Sequence, residues 1–426
     1  MMAKAKKVSK TNQEVAEFEE VNPPSASAQL VREIFGGSLM RTFLAIVLAF
    51  AIGLLLVIFT NKNVLSSLGY FFDRPGDTFA AMGQVVKGFF GGLWRGAIYD
   101  SSQPTFADAI RPLTETLRQS GPLIAAGLGI ALSFRVGIFN IGGQGQILMG
   151  AAFAGWASFQ LHMPPVIHMI VAVLFGLLGA GLWAGIVGAL KALTGAHEVI
   201  LTIMMNWIAL YLVTFLMRTA ILNPGATSTN PATRPPDVTA QMPKILGDGY
   251  LLHFGFIMAI VSVIVYWWLM DRSSIGFRFR AVGYNPLAAE TAGISPKKVY
   301  VWAMIASGLF VGVAAVGLAL GRSGGFGPHV DAGIGFDAIT VALLGQGSPI
   351  GVALAGLLFG GMEAAGPAMQ RVGVSPDILS VVQGLIVLFV AAPPLIRAIF
   401  RLPKTPATTE TPKAMEAPIA QEEVAK

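Results

Sequence analysis

The chain has 426 residues, of which 54% are hydrophobic and only 12% charged, with a mean hydropathy of +0.66. An ordinary soluble protein carries about a quarter charged residues, so this composition excludes a soluble globule. The length instead reads as a count of apolar segments of about 20 residues, the length that crosses a bilayer core. The net charge of +6 does not mark a nucleic-acid binder, because the bases lie between apolar spans and build no sustained basic surface. With no cysteine there is no disulfide framework, thiolate metal site or cysteine nucleophile.

In chain order, residues 1–38 are polar, mixed in charge and broken by Pro23 and Pro24, and read as a cytoplasmic tail. A signal peptide is not expected: the apolar run 39–60 starts late, is of spanning length and has no cleavage pattern, so it is the first transmembrane helix. The segment 61–112 is broken by Asp73, Arg74, Pro75, Gly76, Asp77 and Lys87. It reads as extracytoplasmic, with interfacial helices around 79–98. Further apolar segments fall near 113–133, 138–159, 166–190, 199–218, 250–270, 299–320, 336–345, 349–366 and 377–396. The expected fold is an all-α polytopic membrane protein of about ten transmembrane helices, some of them half-length and broken. A first bundle covers 113–270, a cytoplasmic loop 271–298, a second bundle 299–397 and a disordered cytoplasmic tail 398–426. The basic cluster Arg272 to Lys298 falls inside when six spans precede it, which places both termini inside as well.

Four segments stand out. Residues 133–146 put Arg135, Asn140, Gln144 and Gln146 among glycines between two apolar runs, the pattern of a broken helix, which at membrane depth needs protein or a water-filled cavity to satisfy its backbone. The amides then either bond to neighbouring helices or line a translocation path. Glu198, Thr202 and Asn206 recur every four residues and share one helical face that should look into the bundle; Glu198 alternatively serves the helix start. In 271–298, Asn285 before Pro286 is an N-cap with a first-turn proline, and Gly293 closes the short helix Leu287 to Ala292. That helix is either a solvated connection or a docking element. Finally, 324–337 precedes two short apolar runs joined at Gly345-Gln-Gly-Ser-Pro349, as in discontinuous transporter spans. Gly-Gln-Gly recurs at 143–145, so 113–218 and 299–396 are candidate inverted repeats. Glu363 lies inside a span, either facing a pore or in a buried hydrogen bond. The pairs Gly181/Gly185, Gly308/Gly312, Gly317/Gly321 and Gly356/Gly360 read as helix packing.

Catalytic patterns are missing. The five histidines have no metal spacing, and the Gly-Lys of a P-loop never occurs. The chain is expected to have no enzymatic activity of its own, and no cofactor or metal.

The runs Phe134 to Gln146, His197-Glu-Val-Ile-Leu-Thr-Ile-Met-Met-Asn206 and Gly283-Tyr-Asn-Pro-Leu-Ala-Ala-Glu-Thr-Ala-Gly-Ile294 resemble the permease subunits of bacterial ABC importers for nucleosides, within the wider group of ribose and branched-chain amino acid permeases. The resemblance covers residues 113–397. It implies a plasma-membrane importer built from two permease chains, a cytosolic ATPase that binds the ATP, and an extracytoplasmic substrate-binding lipoprotein. Carried over by position, Asn285, Pro286, Leu287, Ala288, Ala289, Glu290 and Gly293 form the coupling helix seated on the ATPase, and Asn140, Gln144, Gln146, Asn206 and Glu363 are candidates for the substrate path. A sugar or branched-chain amino acid permease of the same architecture, and an ion-coupled secondary transporter, are the competing readings.

Overall fold

The computed structural model describes residues 38–223, 231–247 and 249–401. The described chain is helical, and its one extended pairing is an isolated bridge between Lys244 and His253. In order the helices are α1 (Ser38–Thr60), α2 (Lys62–Leu68), α3 (Pro75–Ala97), α4 (Phe106–Ala109), α5 (Arg111–Arg135), α6 (Gly143–Gln160), α7 (Ile167–Thr194), α8 (Glu198–Leu216), α9 (Gly255–Trp267), α10 (Ser274–Tyr284), α11 (Pro286–Thr291), α12 (Pro296–Leu320), α13 (Ile334–Leu344), α14 (Pro349–Arg371), α15 (Asp377–Ala391) and α16 (Pro393–Phe400). A π-helical turn, Trp268–Arg272, continues α9. Residues Ile46–Ala391 form one compact unit, and the described chain ends, 38–45 and 392–401, fall outside it. The larger unit holds every helix from α2 to α15.

Every apolar segment read from the sequence is helical. Six helices among the described residues are long and apolar enough to cross a membrane, or seven if α15 and α16 count as one span. The chain is therefore a multi-pass membrane protein, and the count of ten includes helices that do not meet this standard for physical reasons. The half-length α13 is too short. In α5, the charged residues Arg111, Glu115, Arg118 and Arg135 lie toward the ends, while 120–133 are buried throughout. A helix walled in by protein has no need of a lipid-compatible surface. The last apolar run does not continue to 396 as one helix, since Pro393 and Pro394 follow the interruption at Ala392 and a proline disfavours helix in the residue before it.

Small residues set the packing. A Cβ at Gly308 would lie 2.6 Å from the Ala180 carbonyl oxygen, and one at Gly312 would lie 2.9 Å from Leu177 Cα, so α12 and α7 touch backbone to backbone. Gly356 and Gly360 let α14 approach α5 at Ile124 and Ser120 in the same way. Without a hydrophobic drive between helices in lipid, such close dispersion contact is what holds them together. The pair Gly317/Gly321 differs from the expectation, for it accommodates the ring of His253 rather than a helix. Helix α3, within the segment expected to carry interfacial helices, packs on α14 with Gly96 against Ala365 and Ala368.

Candidate functional site

The break between α5 and α6 is built by its own amides. Helix α5 ends at Arg135, Gly137 takes a positive φ of 79°, and α6 starts at Gly143. Between them Asn140, fully buried, accepts from the Gly142 N–H at 2.9 Å and from Gln146 Nε2 at 3.1 Å, and donates to Ser307 Oγ on α12 at 3.0 Å. From α8, Asn206 accepts the Gly145 N–H at 2.8 Å and donates to the Ile141 carbonyl at 2.9 Å. Two side chains thus replace the helix hydrogen bonds that the break removes, the condition for irregular backbone at membrane depth. Glu198 extends the tie: it pairs with Lys191 at 2.6 Å and accepts the Phe139 N–H at 3.4 Å. The face Glu198, Thr202 and Asn206 therefore looks onto the break. Buried here without hydrogen-bond partners among the described residues are Gln146 Oε1 and Trp183 Nε1.

A second half-helix start meets this one. Gly333, with φ of 88°, precedes α13, and a Cβ at Gly143 would lie 2.7 Å from the Gly335 carbonyl oxygen. Gln144, half-buried, lies beside the buried carboxylate of Asp331. An acidic side chain placed there complements the positive dipole ends of the helices that begin on either side of it.

Glu363 belongs to a different place. It lines a cavity of about 410 Å³ with Asp337, Thr340, Phe359, Ser380 and Gln383, between α13, α14 and α15. The buried Gln383 amide donates to Glu363 Oε1 at 3.4 Å, while Glu363 itself is exposed at the surface of the chain. Asp337, Thr340 and Gln383 are not among the residues that sequence reasoning singles out. The signal for them exists, since each is a polar side chain inside an apolar run.

The basic end of the bundle joins the break to the short helix. Arg135 and Arg280 both approach Asp271, at 3.4 and 3.9 Å, and Tyr266 donates to the Gly347 carbonyl at 2.9 Å. Gly283 on α10 abuts the carbonyl of Arg135 at the end of α5, leaving no space for a Cβ. Asn285 caps α11 by accepting the N–H groups of Leu287 and Ala288 at 3.0 and 3.1 Å, with Pro286 in the first turn. Tyr284 and Leu287 are 89% and 75% exposed, whereas Ala289 is buried against its own chain. Ala289 therefore presents less surface than Tyr284 or Leu287. Tyr284, Asn285, Ala288 and Ala289 line an exterior groove of about 550 Å³ with Phe277 and Arg278.

The family described as the permease component of branched-chain amino acid transport systems matches residues 113–391, the stretch that contains the break, the half-helix and the capped loop. The chain belongs to that family. It is 35% identical over 322 residues to the guanosine ABC transporter permease protein NupP of Bacillus subtilis, covering 74% of this chain and 88% of that protein. To the nucleoside ABC transporter permease protein NupB of Lactococcus lactis it is 34% identical over 309 residues, 70% of this chain and 83% of the relative. The glucose ABC transporter permease protein TsgB13 of Haloferax volcanii is 31% identical over 287 residues, 65% and 75% of the two chains. No solved structure matches.

Proposed function

We propose that this chain is the transmembrane permease subunit of an ABC importer for nucleosides, with the cavity around Glu363 on its substrate path. The carrying observation is that cavity: Glu363 is exposed on a helix otherwise apolar enough to span a membrane, and an ionisable group facing lipid is costly, so this face needs water or a second permease subunit over it. Carboxylates and an amide in a half-open cavity can accept the N–H groups of a nucleobase and exchange them for water as cargo moves on. The likeness to NupP and NupB supports the cargo. The likeness to TsgB13 keeps a sugar as the second reading.

In this reading the amides of Asn140, Gln146 and Asn206 hold the broken helix in shape, and Gln144 borders the path. A separate cytosolic ATPase seats on the exposed side of α11 and α10, through Leu287, Tyr284 and the adjoining groove. Its movement reaches the break through the Gly283 contact with Arg135, giving alternating access. A substrate-binding lipoprotein delivers cargo from the other face of the plasma membrane.

The test is uptake of labelled guanosine and glucose by cells expressing the complete importer. Glu363→Gln should lower guanosine uptake per folded molecule about tenfold, the order of one lost charge-assisted hydrogen bond. Unchanged specific uptake would remove this cavity from the path, and glucose uptake without guanosine uptake would favour the sugar reading.

A further inference from the structure

At the end of α12 farthest from α10 and α11 lies a larger cavity, of about 810 Å³, that the transport reading does not use. Its walls are α5 around Arg118, Gln119 and Pro122, the last turn of α12, residues 322–325, and residues of 238–247 and 251–253. Among the described lining residues three are basic, Arg118, Lys244 and Arg322, and none is acidic, with Lys244 already engaged in an interaction of its own. Glu115 pairs with Arg118 at 2.8 Å. Arg322 has no hydrogen-bond or ion-pair partner among the described residues. Partial desolvation at the cavity wall, and then the charge of Arg118, hold the exposed Arg322 guanidinium below its usual pKa, which means that the two cations already disfavour one another across the cavity. His253, also in the wall, accepts the Gly255 N–H through Nδ1 and contributes no negative charge. The backbone adds donors of its own. In the segment Arg322-Ser323-Gly324-Gly325, no N–H is bonded to any group among the described residues; Gly324 leaves the approach to it open, whereas Gly325 packs against the Thr233 backbone.

The position of Arg322 just beyond α12 has an ordinary account, since a cation favours a helix C-terminus. That account does not explain why Arg118 is held within electrostatic reach of it, across a cavity whose wall also includes the exposed residues 322–324. Guanidinium groups matched with successive backbone N–H groups are the donor set that recognises a tetrahedral or planar oxyanion. We propose that this cavity is a phosphate-binding site, in which a phosphate group bridges Arg118 and Arg322 and accepts from the amides of the 322–325 turn. The group belongs either to a soluble phosphate compound or to a lipid headgroup, and the site is independent of the cargo in the Glu363 cavity.

The experiment uses the full chain purified in a phosphate-free, lipid-free detergent, and measures saturable binding of labelled inorganic phosphate and adenosine monophosphate. Wild type should bind, and Arg322→Gln should weaken binding by at least about tenfold, the order of one charge-assisted contact, with the size-exclusion profile unchanged. Arg118→Gln should do the same, so that misfolding of one variant leaves the other to decide, and Arg322→Lys should restore part of the affinity. Displacement by a short-chain phosphatidylglycerol but not by excess adenosine monophosphate would assign the site to a headgroup; the reverse would assign it to a soluble phosphate. No saturable binding by wild type overturns the proposal, as does equal binding by both glutamine variants. A preference for acetate or glutamate over every phosphate probe also overturns it.

Discussion

Asn206 serves the backbone at both ends of its amide, and this makes it a poor candidate for a transient ligand contact. Asn206→Leu leaves the Gly145 N–H and the Ile141 carbonyl buried without partners, at about 1–3 kcal/mol for each orphaned group. The expected result is a lower yield of folded protein and a lower melting temperature, with uptake per folded molecule nearly unchanged. Loss of specific uptake at wild-type stability would return Asn206 to the path. His253 gives a second prediction, in the loop just before α9. Burial, reinforced by the charge of Arg118, lowers its pKa to about 4 from an ordinary 6.5, so the folded state holds the neutral ring. Its contribution is complete above the unfolded value and is lost as the pH falls from about 6.5 toward 4, because there the unfolded chain binds the extra proton; the full effect is about 3 kcal/mol. Melting temperature should fall over that window in wild type. In His253→Asn, whose amide oxygen can still accept the Gly255 N–H, most of that fall should vanish; an unchanged pH profile would discount His253 as its source.

The elements are unevenly legible in the sequence. Glycine, asparagine and proline punctuation locates α11, the break at 136–142 and the half-helix α13, because local chemistry at helix ends is encoded in adjacent residues. The exposure of each side chain on a six-residue helix is not encoded there, and Ala289 is buried while Leu287 stands out from the chain. Nor does a short repeated motif carry its own structural role: Gly143-Gln-Gly145 opens α6, whereas Gly345 ends α13 and Gly347 takes a φ of 68°. The Glu363 cavity draws on three helices, and which polar groups converge across such distances depends on packing registers that one-dimensional periodicity does not fix. At this scale the coupling proposal becomes specific. Leu287→Arg changes an exposed position that the chain itself does not need, so membrane insertion should remain normal while substrate-stimulated ATPase activity and uptake fall together. Gly283→Leu should interrupt the same route one step later by forcing α10 away from the Arg135 carbonyl. If Leu287→Arg transports at the wild-type rate, α11 is only a connector.

For the whole molecule, the coupling route depends on which end of the bundle faces the ATPase. The helices give a clear internal polarity: α12 runs from the Pro296 end, next to α10 and α11, to the Leu320 end, where the basic-walled cavity lies. Arg272, Arg278, Arg280, Lys297 and Lys298 crowd the first end, and bases near span ends are retained on the cytoplasmic side. The second end also carries bases, Arg118, Lys244 and Arg322, but these line a folded cavity, where a structural or ligand-binding role competes with topology as the reason for the charge. The expected orientation therefore puts α10 and α11 inside and the segment 231–253 outside. The chain's lack of cysteine makes a direct test available. Thr229, an obvious reporter on sequence grounds, lies outside the described residues, whereas Val238 is 84% exposed and Tyr284 89% exposed. Single cysteines at these two positions should react oppositely with a membrane-impermeant maleimide in intact cells: Val238→Cys labelled at once, and Tyr284→Cys only after permeabilisation. Labelling of Tyr284→Cys but not Val238→Cys before permeabilisation would invert the molecule. It would then place the ATPase seat on the wrong side of the membrane, and α11 could not be the coupling element however well its exposed surface suits one.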